Sequence, residues 1–372
     1  MNKEQDNKTR GQIANVTVEN YSAPPGIIAI PAAILGVVFV GIILHFISDA
    51  ILTFVAALFL ANIFLPIVEK MRKKKIPSFF AVVLVLSVVG VVLLGIVAIL
   101  SSTVSSISEV MPKYQLKWDH VFLPWIIDVG SRISPEFRKH ASDFSFTSIV
   151  PPEKIVSVLS TIPALISSFT LILLFMLFIV ASHGQFRKKI DQAFPPSGSF
   201  HLKQMVENIE SRVRTYLLTS LLINTAAGVT MTVVLLAFGV DLALLWGVIT
   251  FLLMFIPSIG SIFAISLPIL ASFVQFDSVT TPIILGVIII VSQLLIGSFI
   301  APRVLGNSLN LSPLLILITI IFWGWVWGPL GMILAVPITS AITIVFENIP
   351  PLRPLAVMMS SGGQTRIKKK SR

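Results

Sequence analysis

Between Val287 and Ile344 the chain reads VIIIVSQLLIGSFIAPRVLGNSLNLSPLLILITIIFWGWVWGPLGMILAVPITSAITI, two long apolar runs separated by the polar turn APRVLGNSLNLSP. Runs this apolar belong in the hydrocarbon core of a bilayer, which a helix crosses with roughly 20 apolar residues. The second run is broken in its own middle by Gly328, Pro329 and Gly331. A break at bilayer depth frees backbone N–H and C=O groups where no water can satisfy them. It is tolerated only where protein buries it or a polar cavity reaches it. The break is therefore a candidate functional centre, and the remaining chain can be read as its support.

Composition agrees. Of 372 residues, 55% are hydrophobic and 12% charged, against about 25% charged in soluble domains. This predicts an all-α, polytopic helical membrane protein with about eight apolar segments. The net charge of +10 does not point to nucleic acid, because the basic residues form short clusters beside apolar spans, as on the cytoplasmic flanks of membrane helices. The absence of cysteine excludes disulfides, thiolate catalysis and cysteine metal ligands. Residues 1–26 are polar and mixed in charge, which predicts a disordered tail rather than a cleaved signal peptide. The apolar segment from Ile27 is then an uncleaved signal anchor.

Three spans are expected in 27–100: Ile27 to Leu44, Ala50 to Pro66 and Phe79 to Leu100. Five basic residues lie within Lys70–Lys75, and by the positive-inside rule this cluster is cytoplasmic. That orientation also puts the N-terminal tail inside. Residues 101–160 carry six basic and six acidic side chains, a balance that suits an external loop. Val104, Ile107, Met111 and Tyr114 recur at helical spacing there. They predict either an amphipathic helix along the interface or a small self-packed domain.

Residues 161–352 then form the membrane core. It includes a cytoplasmic helix over 186–216 that runs without a breaker into the span Tyr216 to Phe238. Leu242 to Ile256 and Ser261 to Val274 are two short arms around PSIG, and Pro313 to Trp327 and Leu330 to Phe346 are two more around WGPLG. Arms of about 15 residues reach roughly 22 Å, short of a core of about 30 Å. Both pairs are therefore expected as re-entrant hairpins entered from opposite faces. The basic tail, 353–372, is expected in the cytoplasm. Paired broken segments in opposite orientation point to a transport site near the midplane. The plainer reading is that Gly and Pro are simply frequent in membrane helices.

The stretches LANIFLPIVEKMRKKKIPSFFAVVL, FIPSIGSIF and, above all, APRVLGNSLNLSPLLILITIIFWGWVWGPLGMILAVP resemble the autoinducer-2 exporter family of prokaryotic permeases. The resemblance extends over nearly the whole chain in segment order. It implies a multi-pass protein of a prokaryotic plasma membrane, transport of a small solute without ATP hydrolysis, and a homo-oligomer, a pentamer. Other members look like sodium– or lithium–proton antiporters. Members often carry Q-x-x-E before the P-R. This chain reads Gln293, Leu294, Leu295, Ile296, and the apolar Ile296 puts cation coupling in doubt.

The residues allow few chemistries. No H-E-x-x-H, G-x-S-x-G or G-x-x-x-x-G-K-[ST] occurs, so no metalloprotease, serine hydrolase or ATPase motif is present. The chain is read as not an enzyme, with no cofactor and no metal. Proton and sodium paths usually need carboxylates inside the membrane, but between Leu217 and Phe346 the only acids are Asp241 and Asp277. What remains is polar and neutral. The expected substrate pathway is Asn224, Gln293, Pro257, Gly260, Gly328, Pro329 and Gly331, with Arg303 at its inner mouth. The plainer reading has the amides join helices, which weighs equally with solute contact for Asn224 and less for Gln293, and has Arg303 anchor the inner face. The leading reading is a secondary transporter of a small polar solute. The alternatives are a monovalent cation (Na+ or Li+)/proton antiporter and, from another class, a membrane scaffold or assembly protein without transport. The expected partners are the lipid bilayer, the solute and further copies of the chain.

Overall fold

A computed structural model describes residues 26–134, 162–305 and 311–361. Residues 1–25 of the tail expected over 1–26, the far part of the 101–160 loop and the middle of the APRVLGNSLNLSP turn lie outside the described residues. The chain divides into two compact units, 1–48 and 49–372. In the first, α1 (Gly26–Phe46) is apolar around its whole circumference, the pattern of a helix in hydrocarbon rather than one half-exposed to water.

In the second unit α2 (Ser48–Lys73) ends in Lys70, Arg72 and Lys73, cations that suit the negative end of a helix dipole. α3 (Ser78–Lys117) begins after the extended Pro77. Its 40 residues are about 60 Å long, so the third span does not stop at Leu100. The serines and threonines that follow fail to break it because they bond back into their own helix. Ser102 Oγ donates to the Ile99 carbonyl at 3.0 Å and Thr103 Oγ1 to the same oxygen at 2.7 Å, a pattern such side chains adopt within helices. A π-turn (Trp118–Phe122) leads into α4 (Leu123–Ile133).

α5 (Ile162–Ala193) likewise runs past residue 186, and Pro195 starts a new helix. The helix expected over 186–216 is thus divided at 194–195. α6 (Pro196–Ala237) is one helix of 42 residues, about 63 Å. Then come α7 (Ala243–Leu253), α8 (Ile259–Gln275), α9 (Thr280–Leu294), a π-turn (Leu295–Ile300), α10 (Ala301–Leu305) and α11 (Pro313–Asn348). The expected tail is ordered at its start. α12 (Arg353–Met359) returns to the foot of α11, where Ser312 N–H donates to the Met359 carbonyl at 3.0 Å.

Among the described residues six helices are long and apolar enough to cross a membrane, and α7 and α8 are shorter apolar helices. Two of the apolar cores among the described residues join the helices of this unit. Ala57, Ala61, Leu65 and Val68 of α2 pack with Ala81, Val85 and Val89 of α3 and Met176 and Val180 of α5. The alanines at four-residue spacing allow the close approach that drives helix association in lipid. Met231 and Leu235 of α6 pack with Leu285 and Ile289 of α9. The outward faces, such as Val91, Val92 and Leu94 of α3, remain exposed and suit contact with hydrocarbon.

Candidate functional site at two helix breaks

The first break lies between α7 and α8. α7 has 11 residues, about 16 Å, and cannot cross a bilayer alone. After it Pro257, Ser258 and Ile259 form a γ-turn. Ser258 has φ 64° and ψ −56°, and Ile259 N–H donates to the Pro257 carbonyl at 2.7 Å. This positive-φ form is rare, and such strain costs on the order of 1–3 kcal/mol. Gly260 then seats its backbone against the end of α7. A methyl there would overlap the Leu253 carbonyl oxygen and stand 2.6 Å from its carbon. Asn224 of α6, 3% exposed, serves the freed backbone. With its amide turned so that the NH2 donates to the Ser220 carbonyl at 3.2 Å, its oxygen accepts from Phe255 N–H at 3.2 Å.

The second break lies inside α11, at Trp327 (φ −130°, ψ 15°) and Gly328 (φ 64°, ψ −150°). The Gly328 torsions fall in a region that essentially only glycine visits. The chain turns back on itself here. Met332 Cγ lies 2.9 Å from where a Gly324 methyl would be, although eight residues of unbroken helix would separate them by about 12 Å. Gly331 repeats the part of Gly260. A methyl on it would overlap the Trp323 carbonyl oxygen and stand 2.9 Å from Trp327 Cβ. In both breaks a glycine of the second arm rests on a carbonyl near the end of the first. Pro329 is exposed, and Trp323 and Trp327 are buried with ring centroids 4.8 Å apart.

Gln293 closes α9 at 4% exposure; its Nε2 donates to the Ala227 carbonyl at 3.3 Å, and its Oε1 has no partner. The π-turn that follows widens the helix, a feature frequent at functional sites. Ile296 in that turn packs with Ile223 and Ala227 of α6 and with Met254 at the end of α7. One face of α6 therefore gathers the first break, Asn224, Gln293 and the π-turn. α11, the helix that contains the second break, also packs on α6. Arg303, on α10, is exposed.

Two polar tethers were not foreseen. Gln275 at the end of α8 accepts from Asp241 N–H at 2.7 Å and donates to the Gly239 carbonyl at 2.8 Å. Lys117 of α3 donates to the Gln275 carbonyl at 2.5 Å and pairs with Asp277 at 2.6 Å. The hydrogen bond from Lys117 to the Asp277 carboxylate, followed by the charge of Lys117, holds that carboxyl below its ordinary range. Tyr114 OH lies 3.4 Å from Gln275 Oε1, and burial, then the Asp241 charge, pushes its phenol up. The second tether joins α2 to α6. Arg214 donates to the Asn62 backbone carbonyl at 2.8 Å and to Asn62 Oδ1 at 3.0 Å, while Asn62 Nδ2 donates to the Glu210 carbonyl at 2.9 Å. A lone amide in an apolar span was the available signal for it. Among the described residues no group of three or more histidine or acidic side chains is placed to hold a metal.

The AI-2E family transporter model matches residues 28–350, most of the sequence. The chain belongs to the AI-2E transporter family. It is 27% identical over 338 residues to the AI-2 transport protein TqsA of Escherichia coli K12, covering 90% of this chain and 95% of that one. It is 26% identical to the putative transport protein YhhT of the same strain, over 90% and 94% of the two chains. A putative transport protein of Borreliella burgdorferi is 27% identical over 79% of this chain and 80% of its own. This AI-2E family member is thus a polytopic membrane transporter, in line with the resemblance carried by its C-terminal motif.

Proposed function

We propose that the protein is a permease for a small, polar, uncharged or weakly charged solute, of which autoinducer-2 is the first to test, and that the two helix breaks form its transport site. The observation that carries this reading is the repeated break. Two segments of different sequence, PSIG and WGPLG, reach the same glycine-on-carbonyl turn, and the helices that lead into them, α7 and α11, both pack on α6. Broken helices at corresponding places mark transporter sites because their freed backbone groups can bind solute. Asn224, which bonds the backbone at the first break, and Gln293, which bonds the same face of α6, are neutral amides, which suit hydroxyls and carbonyls. The hydrocarbon side chain of Ile296 packs beside them, which favours solute transport over carboxylate-based cation exchange.

The purified protein in sealed vesicles should exchange labelled autoinducer-2 across the membrane faster than empty vesicles. A sodium gradient should move no protons. Proton movement without solute exchange would replace this reading with the antiporter, and neither flux would leave a scaffold. The re-entrant placement of the breaks, cytoplasmic termini and a homo-oligomer belong to the same proposal. Labelling single cysteines from either side and measuring the mass of the purified assembly test them.

A further inference from the structure

Twelve polar residues are buried among the described residues. Six of them fall on two helices that pack together: Thr219, Ser220 and Asn224 of α6, and Thr339, Ser340 and Thr343 of α11. Hydroxyls at membrane depth ordinarily join helices through hydrogen bonds. Thr343 is spent within its own helix, its Oγ1 donating to the Thr339 carbonyl at 2.8 Å. Thr339 Oγ1 and Ser340 Oγ, on residues 2% and 1% exposed, bond nothing among the described residues. They therefore join no helices. Pro337 in the same arm has no N–H to offer the Ile333 carbonyl. Buried polar groups left unmet are costly, and each calls for an explanation.

One ion pair sets the two helices side by side. Arg212 Nη1 of α6 lies 3.7 Å from Glu347 Oε2 of α11, with the side chains 39% and 35% exposed. After Arg212, α6 is buried at Val213, Tyr216 and Thr219 and onward to Leu235, whereas before it only Ser199 is buried. α11 is buried on its stretch before Glu347. The two buried stretches thus leave the pair together and run antiparallel. Tyr216 and Thr219 stand four and seven residues after Arg212, and Thr343 and Ser340 stand four and seven before Glu347. Those intervals return to one helix face. Thr219 and Ser340 are then each about 10 Å from the ion pair. Asn224 lies about 8 Å beyond Thr219, and Gly331 of the second break about 14 Å beyond Ser340.

We propose that this seam is the solute path between the breaks and the Glu347 end of α11, here closed, with the Arg212–Glu347 pair as its gate. The proposal rests on the reading that the breaks form the transport site. A pair this long and this exposed holds weakly, so it parts readily. When α11 moves off α6, Thr339 and Ser340 meet the solute that their present packing denies them. A hydroxyl both donates and accepts, and all six polar residues of the seam are uncharged. The solute class they suit is a neutral, hydroxyl-rich molecule, whereas an ion finds no counter-charge among them.

The test uses the purified, assembled protein in sealed vesicles. Ser340→Cys carries a single cysteine and meets a membrane-impermeant methanethiosulfonate present inside and outside. It should react, and adding Glu347→Gln should speed the reaction by about two- to fivefold, the range open to an exposed pair. Met231→Cys, 1% exposed in the core between α6 and α9, should stay inert in both backgrounds. Thr339→Val with Ser340→Ala should melt at the same or a higher temperature, since the lost hydroxyls bond nothing. That variant should nevertheless exchange labelled autoinducer-2 about tenfold more slowly, as expected for one or two lost hydrogen bonds. A Ser340→Cys thiol that is inert or indifferent to Glu347→Gln overturns the seam, and so does equal acceleration at Met231→Cys. A lowered melting temperature or undiminished exchange in the double variant makes the hydroxyls helix joints and overturns it too. Failure of the unmodified protein to exchange autoinducer-2 counts against the underlying reading instead, since the gated thiol needs no solute.

Discussion

Replacing Gly260 by alanine adds a single methyl, and the structure gives its consequence. The new carbon would stand 2.6 Å from the Leu253 carbonyl carbon, where carbon atoms in contact prefer about 3.5–4.0 Å. The carbonyl oxygen lies nearer still, so the arms of the first break would have to part by more than about 1 Å, and the obstacle is backbone that cannot rotate away. Overpacking of this kind costs about 1–3 kcal/mol and occasionally more. Gly286→Ala is the matched control. A methyl there stands 3.5 Å from Ile269 Cδ1, an ordinary contact, and alanine gains up to about 1 kcal/mol of helix propensity over glycine. Thermal unfolding of the purified protein in detergent should show Gly260→Ala lowered and Gly286→Ala unchanged or raised. If the two variants melt together, glycine-on-carbonyl packing does not hold the break.

Asn224→Ala leaves Phe255 N–H with only its 3.3 Å bond to the Leu252 carbonyl. It should cost about 1–3 kcal/mol in the same unfolding assay, and a melting curve like that of the unmodified protein would contradict the role given to this amide. Arg214→Lys replaces a two-pronged grip on Asn62 with at most a single contact. A loss of about 1–2 kcal/mol is expected, whereas full stability would mean that α2 and α6 are joined by apolar packing alone. For Lys117–Asp277 the carboxyl is held below its ordinary range, so the pair persists above the usual carboxylate pKa and is lost only as pH falls through the lowered value. From about pH 5 to about pH 8 the transport profile of Asp277→Asn should therefore follow that of the unmodified protein. A step present in one and absent from the other would show the pair titrating in that range.

The long helices and both breaks were legible in the sequence for simple reasons. Apolar runs have one ordinary environment, and Pro257, Gly328 and Pro329 interrupt them where neither residue type is indifferent to backbone geometry. The division between the roles of Gly328 and Gly331 was not legible. One supplies a torsion and the other a close approach, and only the folded turn separates these. Helix ends were misjudged wherever polarity was taken for a stop. α3 continues through Ser102 and Thr103 because their hydroxyls bond within the helix, and α5 continues through the polar stretch from His183 to Lys189. The tethers through Gln275 and Arg214 join residues up to 161 positions apart. No local pattern records such pairings. Asn224 stands out in the sequence as a polar residue in an apolar span, yet its partner, the Phe255 amide, emerges only once α7 lies against α6.

The chain lacks cysteine, so one introduced thiol reports its own surroundings without correction, and the most direct test of the transport site uses this. Ser258→Cys and Pro329→Cys, each at an exposed position on a break, are placed in sealed vesicles with a membrane-impermeant maleimide. Val91→Cys on the exposed face of α3 serves as the hydrocarbon control. Both break thiols should react while the control does not, and saturating autoinducer-2 should slow both reactions. Break thiols that stay unreactive from either side, or that react at the same rate with and without solute in variants that still transport it, would place the pathway elsewhere.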